Sequence, residues 1–319
     1  MLPMIVRRLI ALVPLIVLVS FGVFMLTALV PGDPAVTIAG GAEASPERIA
    51  EVRAALQLDD PLLVRYLSWL GHALMLDFGS SLYAPTGGAT TVISDIGSRL
   101  PVTFSLAAIA LVAAMIIGVP LGAFAGMKAG TAIDRTSVAA TSVGIALPNF
   151  WIGLLLISFL AVKLQWFPAV GYTPFADSPG GWLKSLTLPA LSLALFPAAS
   201  IARQLRAELI DVLQSNYVRT AWAKGGSPLR VVGKHALKNA AMPTVTVIAL
   251  QLGTMLGGAV IIEQVFSLPG LGTYLIDALM RQDIPAIQGV AVMFVLIYVV
   301  INLAVDIVYG YINPKVRVS

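Results

Sequence analysis

Residues 217–243 read YVRTAWAKGGSPLRVVGKHALKNAAMP. The stretch lies between two apolar runs, each long enough to enter a bilayer. Yet it carries Arg219, Lys224, Arg230, Lys234 and Lys238 and no acid. Its first part is a two-sided helix. Tyr217, Val218, Ala221 and Trp222 share one face, at i, i+1, i+4 and i+5. Gly225-Gly226 ends that helix. Ser227-Pro228 reads as an N-cap followed by proline at the first helical position, which starts another. A greasy chain thus presents a short helix, a glycine break and a second helix on one side of the membrane, a shape suited to docking on a soluble partner. Basic loops beside spans also meet anionic headgroups, which accounts for the charge but not for Trp222 or the glycine break.

The surroundings set the class. Of 319 residues, 58% are hydrophobic and 11% charged, against about 25% charged in soluble domains. With a mean hydropathy of +0.90 this is an integral membrane protein. The net charge is +4, and the bases sit beside spans rather than in a soluble basic domain, so a nucleic-acid partner is not expected. There is no cysteine, and His72 and His235 lie far apart. No metal centre or other bound cofactor is expected of this chain. No G-x4-G-K-S/T phosphate loop is present, so it has no ATP site of that kind. An intramembrane enzyme would need a polar catalytic set within the spans, and a lone Asp306 with a loop His235 does not supply one.

The expected fold class is an all-α membrane protein of six transmembrane helices, with a helical extracytoplasmic segment between spans 1 and 2. The first span is Leu9–Val30, within an N-terminal segment of residues 1–30. A polar interval follows at 31–100. There Pro31-Gly32-Asp33-Pro34 turns the chain, one helix starts at Ser45-Pro46-Glu47 and a second after Asp59-Asp60-Pro61. On that second helix Leu62, Tyr66, Trp69, Leu70 and Ala73 share a face. Residues 101–319 hold five more spans, Val102–Gly126, Val138–Val162, Leu186–Ala202, Met242–Ile262 and Ala286–Tyr309. The fourth is short and contains Pro189 and Pro197, which tend to kink it. In the fifth, Gly253 and Gly257 have the small-xxx-small spacing that lets helices approach. Lys and Arg cluster at Arg7-Arg8, Lys128 and Arg135, the 203–241 loop, and Lys315 and Arg317, against Lys163, Lys184 and Arg281 in the shorter loops opposite. The rich side is cytoplasmic, so both termini and residues 203–241 are inside. The interval's excess of acids then lies outside, as a solvated hairpin or as a contact surface.

Further motifs carry a resemblance. Gly225, nine residues, His235, one residue and Leu237 resemble the glycine-centred cytoplasmic loop of ATP-binding-cassette importer permeases, EAA-x3-G-x9-I-x-LP. Arg219-Thr220-Ala221 stands where EAA would be, His235 for the isoleucine and Lys238 for the proline. These departures fit the subfamily importing di- and oligopeptides, nickel and glutathione, whose loop resembles Tyr217–Gly225 and His235–Pro243. The likeness continues through Pro31–Pro34, Leu56–Leu70, the DFGSSL of Asp77–Leu82, Leu100–Thr103, the ALPNFWIGLLL of Ala146–Leu156, Gly257–Gly272, the RQDIPAIQG of Arg281–Gly289 and Asn302–Arg317. The first-subunit type of the permease pair fits best, because a long outer interval after the first span is typical of it.

The resemblance implies a type I importer (MetI-like) transmembrane domain in a bacterial plasma (inner) membrane. It implies a second, homologous permease subunit, two cytoplasmic ATP-binding subunits or one fused ATPase that use ATP and Mg, and an extracytoplasmic solute-binding protein. Tyr217–Gly225 would be the coupling helix, with Tyr217, Arg219, Thr220, Ala221, Trp222, Lys224, Gly225 and His235 as the ATPase-coupling residues. Di- or oligopeptide is the expected substrate. Nickel or glutathione import is the alternative within the subfamily, and a self-sufficient secondary transporter the alternative outside it. Three polar residues are candidates for a pore or substrate path, each with a structural alternative. Asn149 sits beside aromatics that an interfacial belt would explain. Glu263 could touch a peptide's amino group or serve an interface. Asp306 is an intramembrane acid that could instead face the cytoplasmic interface or pair with a base.

Overall fold

The computed structural model describes residues 13–14, 16–25, 34–39, 44–55, 58–81, 91–227 and 230–312; at 34, 37–38, 234–235, 306 and 308–312 the description is of backbone alone. Apart from one isolated bridge between Ser80 and Thr91, its regular elements are helical. They are α1 Ile16–Met25, α2 Pro34–Ala39, α3 Pro46–Ala55, α4 Leu62–Leu74, α5 Val92–Met127, α6 Ala132–Ala146, α7 Asn149–Leu156 and α8 Pro179–Leu213. Next come α9 Asn216–Ala223, α10 Leu237–Val265, α11 Leu271–Arg281 and α12 Ile284–Ile312. Two π-helical turns extend this set, Ile157–Lys163 after α7 and Val231–Ala236 before α10.

Among the described residues four helices are long and apolar enough to cross a membrane: α5, α8, Val231–Val265 and Ile284–Val305. The expected third span is not one helix. Ala132–Ala146 and Asn149–Lys163 meet at a 100° bend. Pro148 has no amide proton and holds Leu147 extended, at φ −83° and ψ 131°, so the helix stops and restarts there. Counted as one broken span, the pair makes a fifth crossing. The expected first span, Leu9–Val30, lies partly outside the described residues; α1 falls within it.

The fourth expected span, Leu186–Ala202, is the middle of a 35-residue helix. Pro179 sits at the start of α8, where no amide bond is lost, and Ser178 Oγ accepts from Gly181 N at 3.1 Å. Beyond Ala202, RQLRAELIDVL is too polar to read as part of a span but is made of good helix formers, so the helix continues to Leu213.

The chain divides into two compact units. One takes in Pro101–Thr273 and the chain from Tyr298 onward; the other takes in the described residues up to Leu100 and Tyr274–Ile297. The core of the first is built on α8. Leu186, Leu188, Leu193, Ala194, Ala198, Ile201, Ala202, Leu205 and Leu209 are all buried. Small residues let its neighbours approach. Gly118, Gly122 and Gly126 of α5, one turn apart, lie against it; a Cβ on Gly118 would stand 2.6 Å from Ala198 O, and one on Gly122 2.5 Å from Ala202 O. The small-residue pair expected in the fifth span behaves differently. Gly253 of α10 packs under the Tyr298 ring, while Gly257 faces open space.

In the second unit the DFGSSL and RQDIPAIQG motifs meet. Ser81 Oγ donates to Asp283 Oδ2 at 2.5 Å. Asp283 Oδ1 in turn accepts from Ala286 N at 3.4 Å at the start of α12. Tyr274 OH donates to Asp95 Oδ2 at 3.2 Å beneath the Arg99 guanidinium, which lies 4.6 Å from the ring centroid. Burial, with Asp95 and Asp283 nearby, pushes the Tyr274 phenol well above its usual range, so it stays a donor.

The glycine stripe is directly testable. Gly122→Val should drive a side chain into the α8 backbone and destabilise the chain by about 1–3 kcal/mol, read as a fall in the thermal midpoint in detergent. Gly257→Ala should leave that midpoint unchanged.

Candidate functional site

Two residues separate the end of α8 from the start of α9. Ser215 is extended, at φ −69° and ψ 150°, and Arg219 N donates to Ser215 O at 3.1 Å, so the chain turns at Gln214-Ser215 and re-enters a helix. Eight residues is too short for a helix to be stable by propensity alone, so its packing matters. Val218 is wholly buried, and Ala221 is half-buried beside it. Asn239 Nδ2 of α10 donates to Tyr217 OH at 2.9 Å. α9 is therefore rooted on both α8 and α10.

The helix ends in a Schellman motif. Gly225 N donates to Trp222 O at 2.9 Å and Gly226 N to Ala221 O at 3.1 Å, while Gly225 takes φ +78°. That left-handed backbone is open to glycine and strained for most other residues. Arg219, Thr220, Trp222, Lys224 and Gly225 remain exposed, Trp222 to 40% and Tyr217 to 47%. The face expected to hold Tyr217, Val218, Ala221 and Trp222 together is divided: Val218 and Ala221 anchor, and the two aromatics project. An exposed tryptophan between an arginine and a lysine, with no acid on the helix, suits a partner surface that is apolar at its centre and acidic at its rim.

Beyond Gly226 the chain departs from the expected separate second helix. Pro228 and Leu229 lie outside the described residues, and Val231 N donates to Ser227 O at 2.9 Å. The helix from Val231 runs on into α10, so the restart is the fifth span's own beginning. His235 stands in its π-helical turn; the described residues include its backbone and not its side chain.

A charged contact that spacing along the chain does not reveal lies next to this site. The Arg206 guanidinium of α8 grips the Asp134 carboxylate of α6 with two parallel bonds, Nε to Oδ1 and Nη2 to Oδ2, the second at 2.9 Å. Gly130 N also donates to Oδ2 at 2.9 Å. Asp134 is buried and Arg206 partly so. The bidentate geometry fixes orientation as well as distance between the two helices. The only signal in the sequence is that each residue sits beside an apolar run, on the basic side.

The three path candidates lie on three helices, Asn149 on α7, Glu263 on α10 and Asp306 on α12. Asn149 opens α7 at the 100° bend, and its Nδ2 lies 3.5 Å from where a Cβ on Gly258 would stand. Glu263 is wholly buried one to two turns further along α10. Thr103 Oγ1 donates to its Oε1 at 2.6 Å, and Gly272 N and Thr273 N donate to its Oε2 at 2.7 and 3.2 Å. Thr103 Oγ1 also accepts from Leu271 N at 2.9 Å. Glu263 thus caps the first amides of α11, a favourable place for a carboxylate, and is buried within the chain. Asp306 lies in α12, with its side chain outside the description.

Residues 118–318 match the family described as binding-protein-dependent transport system inner membrane component, and residues 1–107 match its N-terminal companion. The chain belongs to this family. It is 38% identical over 314 residues, 98% of each chain, to a putative peptide transport system permease of Brucella abortus (strain 2308). It is 37% identical over 337 residues, 99% of each chain, to the di/tripeptide transport system permease protein DppB of Pseudomonas aeruginosa. It is 39% identical over 317 residues, 99% of each chain, to the glutathione transport system permease protein GsiC of Salmonella typhi. Among solved structures, a chain of the inward-facing MetNI methionine ABC transporter superposes with a TM-score of 0.58 at 18% identity, covering 69% of this chain and 96% of that one. The fold is thus that of an ABC importer membrane component, and the protein is a membrane-spanning transport subunit.

Two substitutions separate the buried contacts from surface ones. Asp134→Asn should cost about 1–3 kcal/mol by removing charge-assisted bonds, measured by thermal unfolding in detergent. Asp59→Asn, which breaks only the exposed pair with Arg53 at 3.3 Å, should change stability by less than about 0.5 kcal/mol.

Proposed function

We propose that this chain is one permease of a peptide importer and that α9 is the element through which partner ATPases drive it. The observation that carries this reading is the split character of α9: Val218 is sealed into the chain while Trp222, Arg219 and Lys224 stand outward. The family match, and relatives named for peptide, di/tripeptide and glutathione transport over almost the full chain, support a peptide-class substrate.

In this reading the complex contains a second, similar permease, two ATP-binding subunits or one fused ATPase that use ATP and Mg, and an external binding protein. The basic loops support an orientation with both termini and α9 in the cytoplasm. ATP-driven closure of the ATPases draws the two coupling helices together. Because α9 is tied to α8 by two residues and to α10 by the Tyr217–Asn239 bond, and Val218 is sealed into the chain, a push on it moves two long helices as a body. That is rigid-body alternating access, with no chemistry performed by this chain. The bend at Pro148-Asn149 is where irregular backbone would line a path between spans.

The test uses the assembled importer in proteoliposomes. Trp222→Ala should weaken association with the ATPases by roughly 30-fold, as loss of about 2 kcal/mol from an interface anchor would, and should uncouple ATP hydrolysis from binding-protein stimulation. Gly225→Val should do the same by forcing a β-branched residue into a left-handed backbone, with Gly225→Asn recovering part of the activity. Unchanged association and coupling in Trp222→Ala and Gly225→Val would refute the docking role.

A further inference from the structure

α4 (LLVRYLSWLGHAL) has two apolar faces, and only one is covered. On the covered face Tyr66 is buried against α1. Its ring meets Phe21 edge-on with centroids 5.1 Å apart and lies 5.6 Å from Phe24. Its hydroxyl donates to Val17 O at 3.2 Å and lies 2.9 Å from Ser20 Oγ. Trp69 lies 5.8 Å from Phe24, and the Arg65 guanidinium lies over the same ring at 6.0 Å. On the other face Leu63, Leu67 and Leu74, at i, i+4 and i+11, form one stripe that is 63%, 58% and 76% exposed. Val64 widens it, and Met75 and Leu76 extend it past the helix end, Met75 to 83% exposure.

The covered face says what lies over the exposed one. Val17, Ser20, Phe21 and Phe24 belong to the middle and outer half of the Leu9–Val30 run, which needs about 20 residues to cross the hydrocarbon. A helix that hydrogen-bonds Val17 and packs its aromatic rings on Phe21 and Phe24 stands at hydrocarbon depth. α1 itself leaves the apolar side chains of Val17 and Leu18 exposed, as a segment facing lipid would. From 61 to 76 the sequence has no Asp, Glu or Lys. Its two ionisable side chains besides Tyr66 are Arg65, laid on Phe24, and His72, whose Nδ1 is 2.9 Å from Ser68 O. Carboxylates return at once on either side, with Asp59-Asp60 before and Asp77 after. Thirteen residues is too short to cross and is the length of an interfacial segment.

We propose that α4, with Met75 and Leu76, is a membrane-surface helix embedded in the outer leaflet, its Leu63–Leu67–Leu74 stripe lying among lipid acyl chains. The outer leaflet is the consequence of reading Leu9–Val30 as a crossing with its N-terminus inside. The interval after the first span is then not a free soluble hairpin. It is pinned to the lipid by one helix, which leaves α2 and α3 to face water.

The absence of cysteine makes the test clean. Single-cysteine variants Leu63→Cys, Leu67→Cys and Leu74→Cys are spin-labelled in the full importer, reconstituted in phosphatidylethanolamine–phosphatidylglycerol vesicles. Leu18→Cys on α1 serves as the lipid reference, and Glu51→Cys on the exposed face of α3 as the water reference. The expected result is loss of relaxation by a water-soluble nickel chelate at all three stripe positions, with oxygen relaxation as strong as at Leu18. Chelate access equal to that at Glu51, while Leu18 stays protected, overturns the proposal. So does protection from both relaxants, which would mean that another protein subunit covers the stripe. Chelate access at Leu18 itself overturns it through the crossing on which it rests, and leaves the ATPase-docking reading untouched. As an independent measurement, Leu67→Asp should lower the thermal midpoint in vesicles; an unchanged midpoint is the result for a stripe in water.

Discussion

The backbone of α5 lies on the backbone of α8 with no side chain between them at Gly122 and Ala202. In a bilayer this closeness does the work that hydrophobic burial does in water, because lipid tails are as apolar as leucine and offer no reason for helices to associate. Dispersion contacts between closely fitted surfaces supply that reason, and they fall away steeply once a gap opens. The three glycines of α5 and the alanine-rich face of α8 are therefore a single feature. They set how near α5 can come, and α8 in turn is the surface on which α6, α7 and α10 pack.

α9 depends on that frame. α9 is too short to hold its own shape, and what fixes it is Val218 sunk beneath it, the Tyr217–Asn239 bond and a glycine-terminated end. The Asp134–Arg206 pair adds an oriented tie between α6 and α8. A packed contact resists separation but tolerates sliding; a two-point ionic contact resists sliding as well. Force arriving at α9 from a partner would thus meet helices already held in register. No residue on this route needs to be chemically reactive, in keeping with a transport subunit that carries no phosphate loop.

Motifs that looked like labels of kinship prove to be bonds. Ser81 of DFGSSL holds Asp283 of RQDIPAIQG, and Glu263 caps α11 through Gly272 and Thr273 while holding Thr103. An acid near a membrane reads as functional by default because burying a free carboxylate is costly. Glu263 escapes that cost through its donors, and the donors come from segments 9, 10 and 160 residues away. Spacing along the chain cannot reveal such a set. The proline at 148 was visible, but whether it would kink a span or break it by 100° depended on what packed on either side. Pro189 and Pro197 sit inside an unbroken α8.

What the sequence by itself determined was the class, an all-helical membrane protein, and where the helix after α8 ends. Hydropathy, the distribution of lysine and arginine, and the Gly225 break are local properties that act through the solvent and the backbone. The positive φ at Gly225 is the same kind of fact, since one residue type meets it at little cost. The tertiary structure decided which polar groups are internal and which apolar faces are left uncovered. It separated Val218 from Trp222 on one helix, gave Glu263 its donors at the start of α11, joined Asp134 to Arg206 and left the leucine stripe of α4 bare. Each of these turns on a distance between residues remote in sequence, and burial is a property of the neighbour as much as of the residue itself.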